Sequence, residues 1–355
     1  MYVIDYLKQH KDTSLKDMSF NEVDALVMAM ISYVPFDELG IDKTFFKPSL
    51  ALEKLNGFMP PYGYNERKLK YLEVLRLVCE GKRFDHLYFS DFKKERDKVS
   101  DKQFQAITIL FNKYIYISYC GTDSTTLGWK EDFNMAYLEI VPSEIAAMKY
   151  ANMILSKFWF RKAYLGGHSK GGRLAISAAK GLNNKRRIAA IFAFDAPNFP
   201  TSCYNEDYKK IDSYIVAFAP NESIIGRLMP EYHQKRIVKS TNWFITQHDA
   251  FSWVIEGISF DYDNDYTPRS TRFVNTINNA LTTYDDETKN EFIDTLFDVL
   301  DRMEVDKLPN EKEFIPRLIK GTPHFLREFK NTPKEKRFVV YKMVFGLIKD
   351  YFFNK

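Results

Sequence analysis

The sequence predicts an α/β protein with a mostly parallel central sheet, helices on both faces and a helical C-terminal segment. Three observations predict it. Residues 161–180 read as a short strand, a glycine-rich sharp turn and an Ala-rich helix. Gln103 to Phe111 and Tyr114 to Cys120 are strand-like runs joined by Asn112-Lys113, which is a hairpin signal. After the helix, strand-like runs recur at Ile188 to Phe194 and Ile211 to Phe218, as strand–helix alternation requires.

In chain order, Tyr2 to Lys8 reads as a short helix. Ser19-Phe20-Asn21-Glu22 has the character of a helix start, and Val23 to Tyr33 follows with helical apolar periodicity. Residues 43–64 look irregular and aromatic, and suit either a pocket cover or a surface loop. Leu69 to Cys79 reads as helix and Leu87 to Lys93 as a strand. Trp129 to Leu138 and Ser143 to Phe158 read as helices, and the last strand falls within Ile237 to Thr246. From Pro268 onward the pattern is helical: Thr271 to Leu281, Asp285 to Arg302, Glu311 to Ile319 and Lys336 to Tyr351. This divides the chain into a core over 1–267 and a helical segment over 268–355 packed on it.

Composition bounds the function. The 355 residues are 45% hydrophobic and 28% charged, which is ordinary for a globular protein with a sizeable core. A net charge of +4 forces no nucleic-acid partner. Three cysteines, Cys79, Cys120 and Cys203, suit a reducing compartment and have no zinc spacing. No secretory leader is evident. The longest apolar runs fall short of the roughly 20 residues that cross a bilayer. The expectation is a soluble, cytoplasmic protein without cofactor or metal. The 30 Phe and 22 Tyr leave a peripheral membrane contact open, as does the basic cluster Lys334, Lys336 and Arg337. Oligomeric state is not legible.

The chemistry centres on Gly167-His168-Ser169-Lys170-Gly171, a G-x-S-x-G between strand and helix. That context reads as the nucleophile elbow of an α/β-hydrolase fold. The serine sits on a strained turn, and side chains at the flanking glycines would strike neighbouring backbone. The helix behind it aims its N–H groups and positive dipole end at the site where an oxyanion forms. A phosphate loop is the competing reading of such a turn, but the spacing to a Lys-Ser/Thr pair is wrong.

Three stretches together resemble the fungal-type class 3 lipases and a related, largely uncharacterised bacterial family of lipase-like α/β-hydrolases. They are Tyr119-Cys120-Gly121-Thr122-Asp123 with Trp129 and Asp132 following, the elbow itself, and Thr246-Gln247-His248-Asp249-Ala250-Phe251-Ser252-Trp253. Phe20 to Leu26 also matches the bacterial family. The resemblance covers about residues 1 to 260. It implies an ester hydrolase acting on a small-molecule or lipid ester. Two departures stand out. Cys120 replaces the lipases' Arg, and Ser223 stands where they place their catalytic acid.

A serine hydrolase needs a nucleophile, a base, an acid that orients the base, and oxyanion donors. Ser169 is the nucleophile. His248 is the favoured base, because it follows a strand candidate and lies in the family-like segment; His233 and His324 are the other histidines downstream. Asp195 is favoured as the acid, at the end of the strand beside the elbow strand. Glu222, after the next strand, is the alternative. The backbone N–H of Lys170 comes with the elbow as one oxyanion donor, and the resemblance implies Thr122 as the second. The Lys170 side chain is expected to project into solvent, and Trp129 and Asp132 to act as supports. A catalytically weak scaffold with a binding or regulatory role is the competing reading, motivated by Ser223.

Overall fold

The computed structural model describes residues 1–62, 64–84, 86–123, 125–302 and 327–341. The chain opens with α1 (Val3–His10) and α2 (Glu22–Ile31), then β1 (Phe45–Phe46), α3 (Pro48–Gly57) and α4 (Glu66–Glu80). Next come β2 (Tyr88–Asp97), β3 (Lys102–Phe111), β4 (Tyr114–Tyr119), α5 (Thr126–Asn134), α6 (Pro142–Lys157), β5 (Lys162–His168) and α7 (Lys170–Lys180). The remaining elements are β6 (Ile188–Phe194), α8 (Glu206–Lys209), β7 (Ile215–Pro220), β8 (Arg236–Val238), β9 (Ile255–Glu256), β10 (Ser259–Phe260), α9 (Pro268–Thr283) and α10 (Asp286–Arg302).

Strands β1 to β8 form one sheet in chain order. β1 to β4 pair antiparallel, and β4 to β8 pair parallel. Parallel neighbours need crossovers that return to the same end of the sheet, so α5–α6 and α7 run back along its faces. This is the α/β-hydrolase architecture the sequence predicts.

The strand period of two sorts side chains between two cores. Ile115, Ile117 and Tyr119 of β4 join the core under α6 and α7, while Tyr116 faces α2 and the other core. Ser118, a buried polar residue in this central strand, donates to the Met28 carbonyl at 2.8 Å. That bond satisfies a hydroxyl that would otherwise be orphaned. α2 starts where the chemistry allows. The Asn21 side chain accepts from the Val23 and Asp24 amides at 2.9 and 3.0 Å, and Asp24 accepts back from the Asn21 amide at 3.0 Å. Asp24 also receives Arg83 through both carboxylate oxygens, at 2.6 and 2.5 Å, fully buried.

Three local expectations change. The stretch 43–64 is irregular only in part: Pro48 starts α3, whose Ala51 and Leu55 are buried, and 58–62 is the irregular remainder. The groove beside it holds about 410 Å³, is lined by Glu38, Gly40, Glu53 and Phe58 among others, and includes none of Ser169, Asp195 and His248. Ile211 to Tyr214 is not strand; Asp212–Tyr214 forms a single 3-10 turn and β7 begins at Ile215. The final sheet strand is short, because the chain leaves it at Val238 and reaches His248 through a 3-10 turn, Phe244–His248. α10 rests on α5: Phe297 meets Phe133 edge-on, and Tyr137 donates to Asn290 at 2.9 Å. The expected helix at 311–319 lies outside the described residues, and 334–341 is helical. No helix among the described residues is long and apolar enough to cross a membrane.

Candidate active site

The elbow is a strained turn. Ser169 has φ 59° and ψ −134°, a region costly for any residue with a side chain. The Ser169 amide donates to the Phe194 carbonyl at 2.8 Å, which ties the turn to the end of β6. A Cβ on Gly167 would lie 2.3 Å from the Gly171 carbonyl carbon, and one on Gly171 would lie 2.1 Å from the Tyr119 oxygen. Only glycine fits either place.

Asp195 and His248 meet. Asp195, just past β6, is fully buried at φ 46°, and its Oδ2 lies 2.6 Å from His248 Nδ1. Burial pushes its carboxyl upward, but the His248 contact and the Ser223 hydroxyl outweigh that and hold it below the usual range. An ionised carboxylate only accepts, so Nδ1–H donates, and in the neutral imidazole Nε2 then carries the lone pair. The other oxygen, Oδ1, accepts from Ser223 Oγ at 2.5 Å and from the Gly226 amide at 3.1 Å. Ser223 therefore supports the aspartate one strand away. Gly226 is equally constrained, because a Cβ there would lie 2.2 Å from Asp195 Oδ1.

His168 braces this arrangement, a role its adjacency to the serine did not suggest. Its Nε2 lies 2.8 Å from the His248 carbonyl, and the two rings are 4.6 Å apart. Burial and the neighbouring His248 lower its pKa to about 3, so the ring is neutral. With Nε2–H donating, Nδ1 is an acceptor 3.2 Å from the Tyr33 hydroxyl.

Glu222, the alternative acid, faces elsewhere. It accepts from Arg269 at 2.6 Å, Thr267 Oγ1 at 3.2 Å and the Phe244 amide. It ties the turn that carries His248 to the start of α9 rather than holding the imidazole. His233 sits 3.0 Å from Asp212 and against Tyr208, in a separate cluster. His324 lies outside the described residues.

On the oxyanion side, Lys170 is the first residue of α7, so its amide has no intrahelical acceptor. The side chain contradicts the expectation of solvent exposure. It is buried, with Nζ 2.6 Å from Gln103 Oε1 and 3.0 Å from Glu131 Oε2. The reason is Glu131, which is fully buried while accepting the Gln103 and Ser143 amides at 2.9 Å each, and so needs a cation. The Thr122 hydroxyl donates to Asp132 Oδ2. A Cβ on the preceding Gly121 would come within 3.2 Å of Ser169 Cβ, so this turn runs alongside the serine. Desolvation raises the Asp132 pKa to about 6 despite the nearby Lys170 charge.

Comparison with solved structures returns fungal lipases. The chain is 13% identical to the lipase of Rhizopus microsporus var. chinensis, covering 75% of this chain and 82% of that one, with a TM-score of 0.38. A mutant of MDLA from Penicillium cyclopium gives 13%, 75%, 93% and 0.40 in the same order. The propeptide complex of Rhizomucor miehei lipase gives 14% identity and a TM-score of 0.34, and the chain spans only 59% of its length. No curated protein matches the chain. A family model described as Mbeg1-like matches residues 78–298, well over half of the chain, and that span contains Ser169, Asp195 and His248. The chain belongs to the Mbeg1-like family.

Proposed function

We propose that the protein is a serine hydrolase of carboxylic esters, with Ser169 as nucleophile, His248 as base and Asp195 as the acid that orients it. The observation that carries this reading is the 2.6 Å contact between His248 Nδ1 and a buried Asp195, beside a serine held at φ 59°. Ser169 Oγ attacks the ester carbonyl while His248 Nε2 takes its proton. The alcohol leaves with that proton, and water then cleaves the acyl-enzyme by the same route. The Lys170 amide and Thr122 face the developing oxyanion, each such donor worth about 3 kcal/mol.

Trp243 and Ile245, exposed on the turn that leads to His248, favour an apolar acyl group. Cys79, Cys120 and Cys203 are free thiols, consistent with a reducing, cytoplasmic setting. The competing reading, an inactive scaffold, arose from Ser223. The hydrogen bond from Ser223 to Asp195 gives that serine a part in the enzyme reading instead.

The test is a panel of p-nitrophenyl esters of increasing acyl length. Hydrolysis that vanishes in Ser169→Ala and His248→Ala supports the proposal. A folded protein that cleaves none of them, or cleaves them equally well as Ser169→Ala, sinks it.

A further inference from the structure

The end of the sheet opposite Ser169 carries a second feature. α6 stops at Lys157, β5 starts at Lys162, and the turn between them presents Trp159 and Phe160 to solvent at 75% and 67% exposure. Large aromatics this exposed, side by side, are unusual on a monomer surface and mark contact sites. The pair is ordered, packed edge-to-face at 5.8 Å. The turn beneath it is stitched by two guanidinium groups. Arg187 donates to the Leu155 and Phe158 carbonyls, both at 2.5 Å, and Arg161 to the Asn112 carbonyl at 2.6 Å. Those bonds cap the C-terminus of α6 and fix the loop.

Cations occupy the neighbouring strand ends and turns at this end of the sheet. Lys113 lies in the β3–β4 turn, and the next residue, Tyr114, pairs with Lys162. Lys185 and Arg186 lie in the Lys185–Arg187 turn that leads into β6, whose first residue pairs with Ala163. Lys113 Nζ lies 5.6 Å from the centre of the Tyr114 ring, and Lys185 Nζ donates to the Leu182 carbonyl at 3.3 Å, so neither of these contacts neutralises its charge. The acids nearby are engaged: Asp91 by Lys157 at 2.8 Å, Asp207 by Lys210 at 2.9 Å, Glu206 by Lys209 at 2.6 Å and Asp212 by His233 at 3.0 Å.

We propose that this end docks on an anionic lipid bilayer, with Trp159 and Phe160 seated at the headgroup level and the four cations facing lipid charge. Charge complementarity decides the occupant. A second copy of this chain would set cations against cations, whereas an anionic leaflet takes both the rings and the charges. The docked orientation follows from the fold. Trp159 precedes β5 and Ser169 follows it, so the strand's seven residues separate them by roughly 20 Å. The candidate active site then opens into solution, away from the bilayer. This placement is independent of whether Ser169 is reactive.

The experiment is flotation of the full chain with vesicles of phosphatidylcholine alone and of phosphatidylcholine with an equal part of phosphatidylserine. Binding is expected only with phosphatidylserine, weakening with salt. Trp159→Ser with Phe160→Ser is expected to lower it at least ten-fold, roughly what losing the interfacial aromatics costs. Lys162→Gln or Arg186→Gln lowers it roughly five-fold for the one positive charge lost. All three variants keep the melting temperature, and Trp243→Ser, at the opposite end, leaves binding unchanged. Three results overturn the proposal: no flotation with either vesicle, binding that survives the double aromatic substitution, or binding that depends on Trp243 alone. A dimer in solution that dissociates on Trp159→Ser overturns it in favour of a second copy.

Discussion

Two adjacent strand ends each present a buried carboxylate, and they do different work. Past β6, Asp195 sits at φ 46° with one oxygen on His248 and the other on Ser223 and Gly226. Past β7, Glu222 spreads its oxygens over Arg269, Thr267, Phe244 and Gln247. The first has a single imidazole as its functional partner; the second is a staple between loops. Burial alone does not distinguish the two carboxylates. The identity and direction of their partners do, and the proposed role of Asp195 as the acid rests on that.

The largest expected effect separates the two. Asp195→Asn should lower kcat for ester cleavage about 10⁴-fold, because an amide reverses the tautomer preference of His248. The melting temperature reads whether that variant stays folded. Glu222→Gln should do the reverse, costing about 1–3 kcal/mol of stability in denaturant titrations while kcat changes by less than about ten-fold. If the two phenotypes were exchanged, the assignment of the acid would move to β7.

Ser223→Ala comes next. It removes a hydroxyl from the charged Asp195 and leaves Oδ1 with the Gly226 amide. A charge-assisted hydrogen bond of about 1.5–3 kcal/mol corresponds to a loss of at least about ten-fold in kcat. No change would mean that Ser223 fills space only.

The smallest effect is a slope in stability against pH. His168 titrates near its ordinary value of 6.5 when unfolded and near 3 when folded. Between those values the unfolded chain binds more protons, so stability is full above about 6.5 and is lost as pH falls toward 3. Asp195, also depressed, adds a loss in the same direction at the acid end. Urea titrations of wild type and His168→Gln isolate the histidine: the variant should show a shallower loss between pH 6 and 4. An unchanged slope would mean that the brace on His248 does not depend on a neutral ring.

Much of the site is legible in the sequence because it is local or ordered. The elbow is written in five consecutive residues whose glycines answer to backbone clashes. Asp195 stands out as a polar residue where an apolar strand run would continue. What stays hidden is long-range pairing between ordinary residues. Nothing near Lys170 in sequence announces that Glu131, 39 positions away, buries its ammonium. Nothing near His168 announces the carbonyl of His248. α3 is obscured by the aromatic residues on either side of it, although Pro48 and the helix formers from Leu50 to Leu55 carry its signal.

The central claim is that Asp195, through His248, activates Ser169. The most direct measurement is the rate of covalent labelling by a fluorophosphonate, with the modified peptide located by mass spectrometry. The account predicts one adduct, on the peptide containing Ser169. It also predicts a rate that collapses in Asp195→Asn and persists in Glu222→Gln. Absence of an adduct on the folded wild-type chain, or labelling that survives Asp195→Asn, would contradict it.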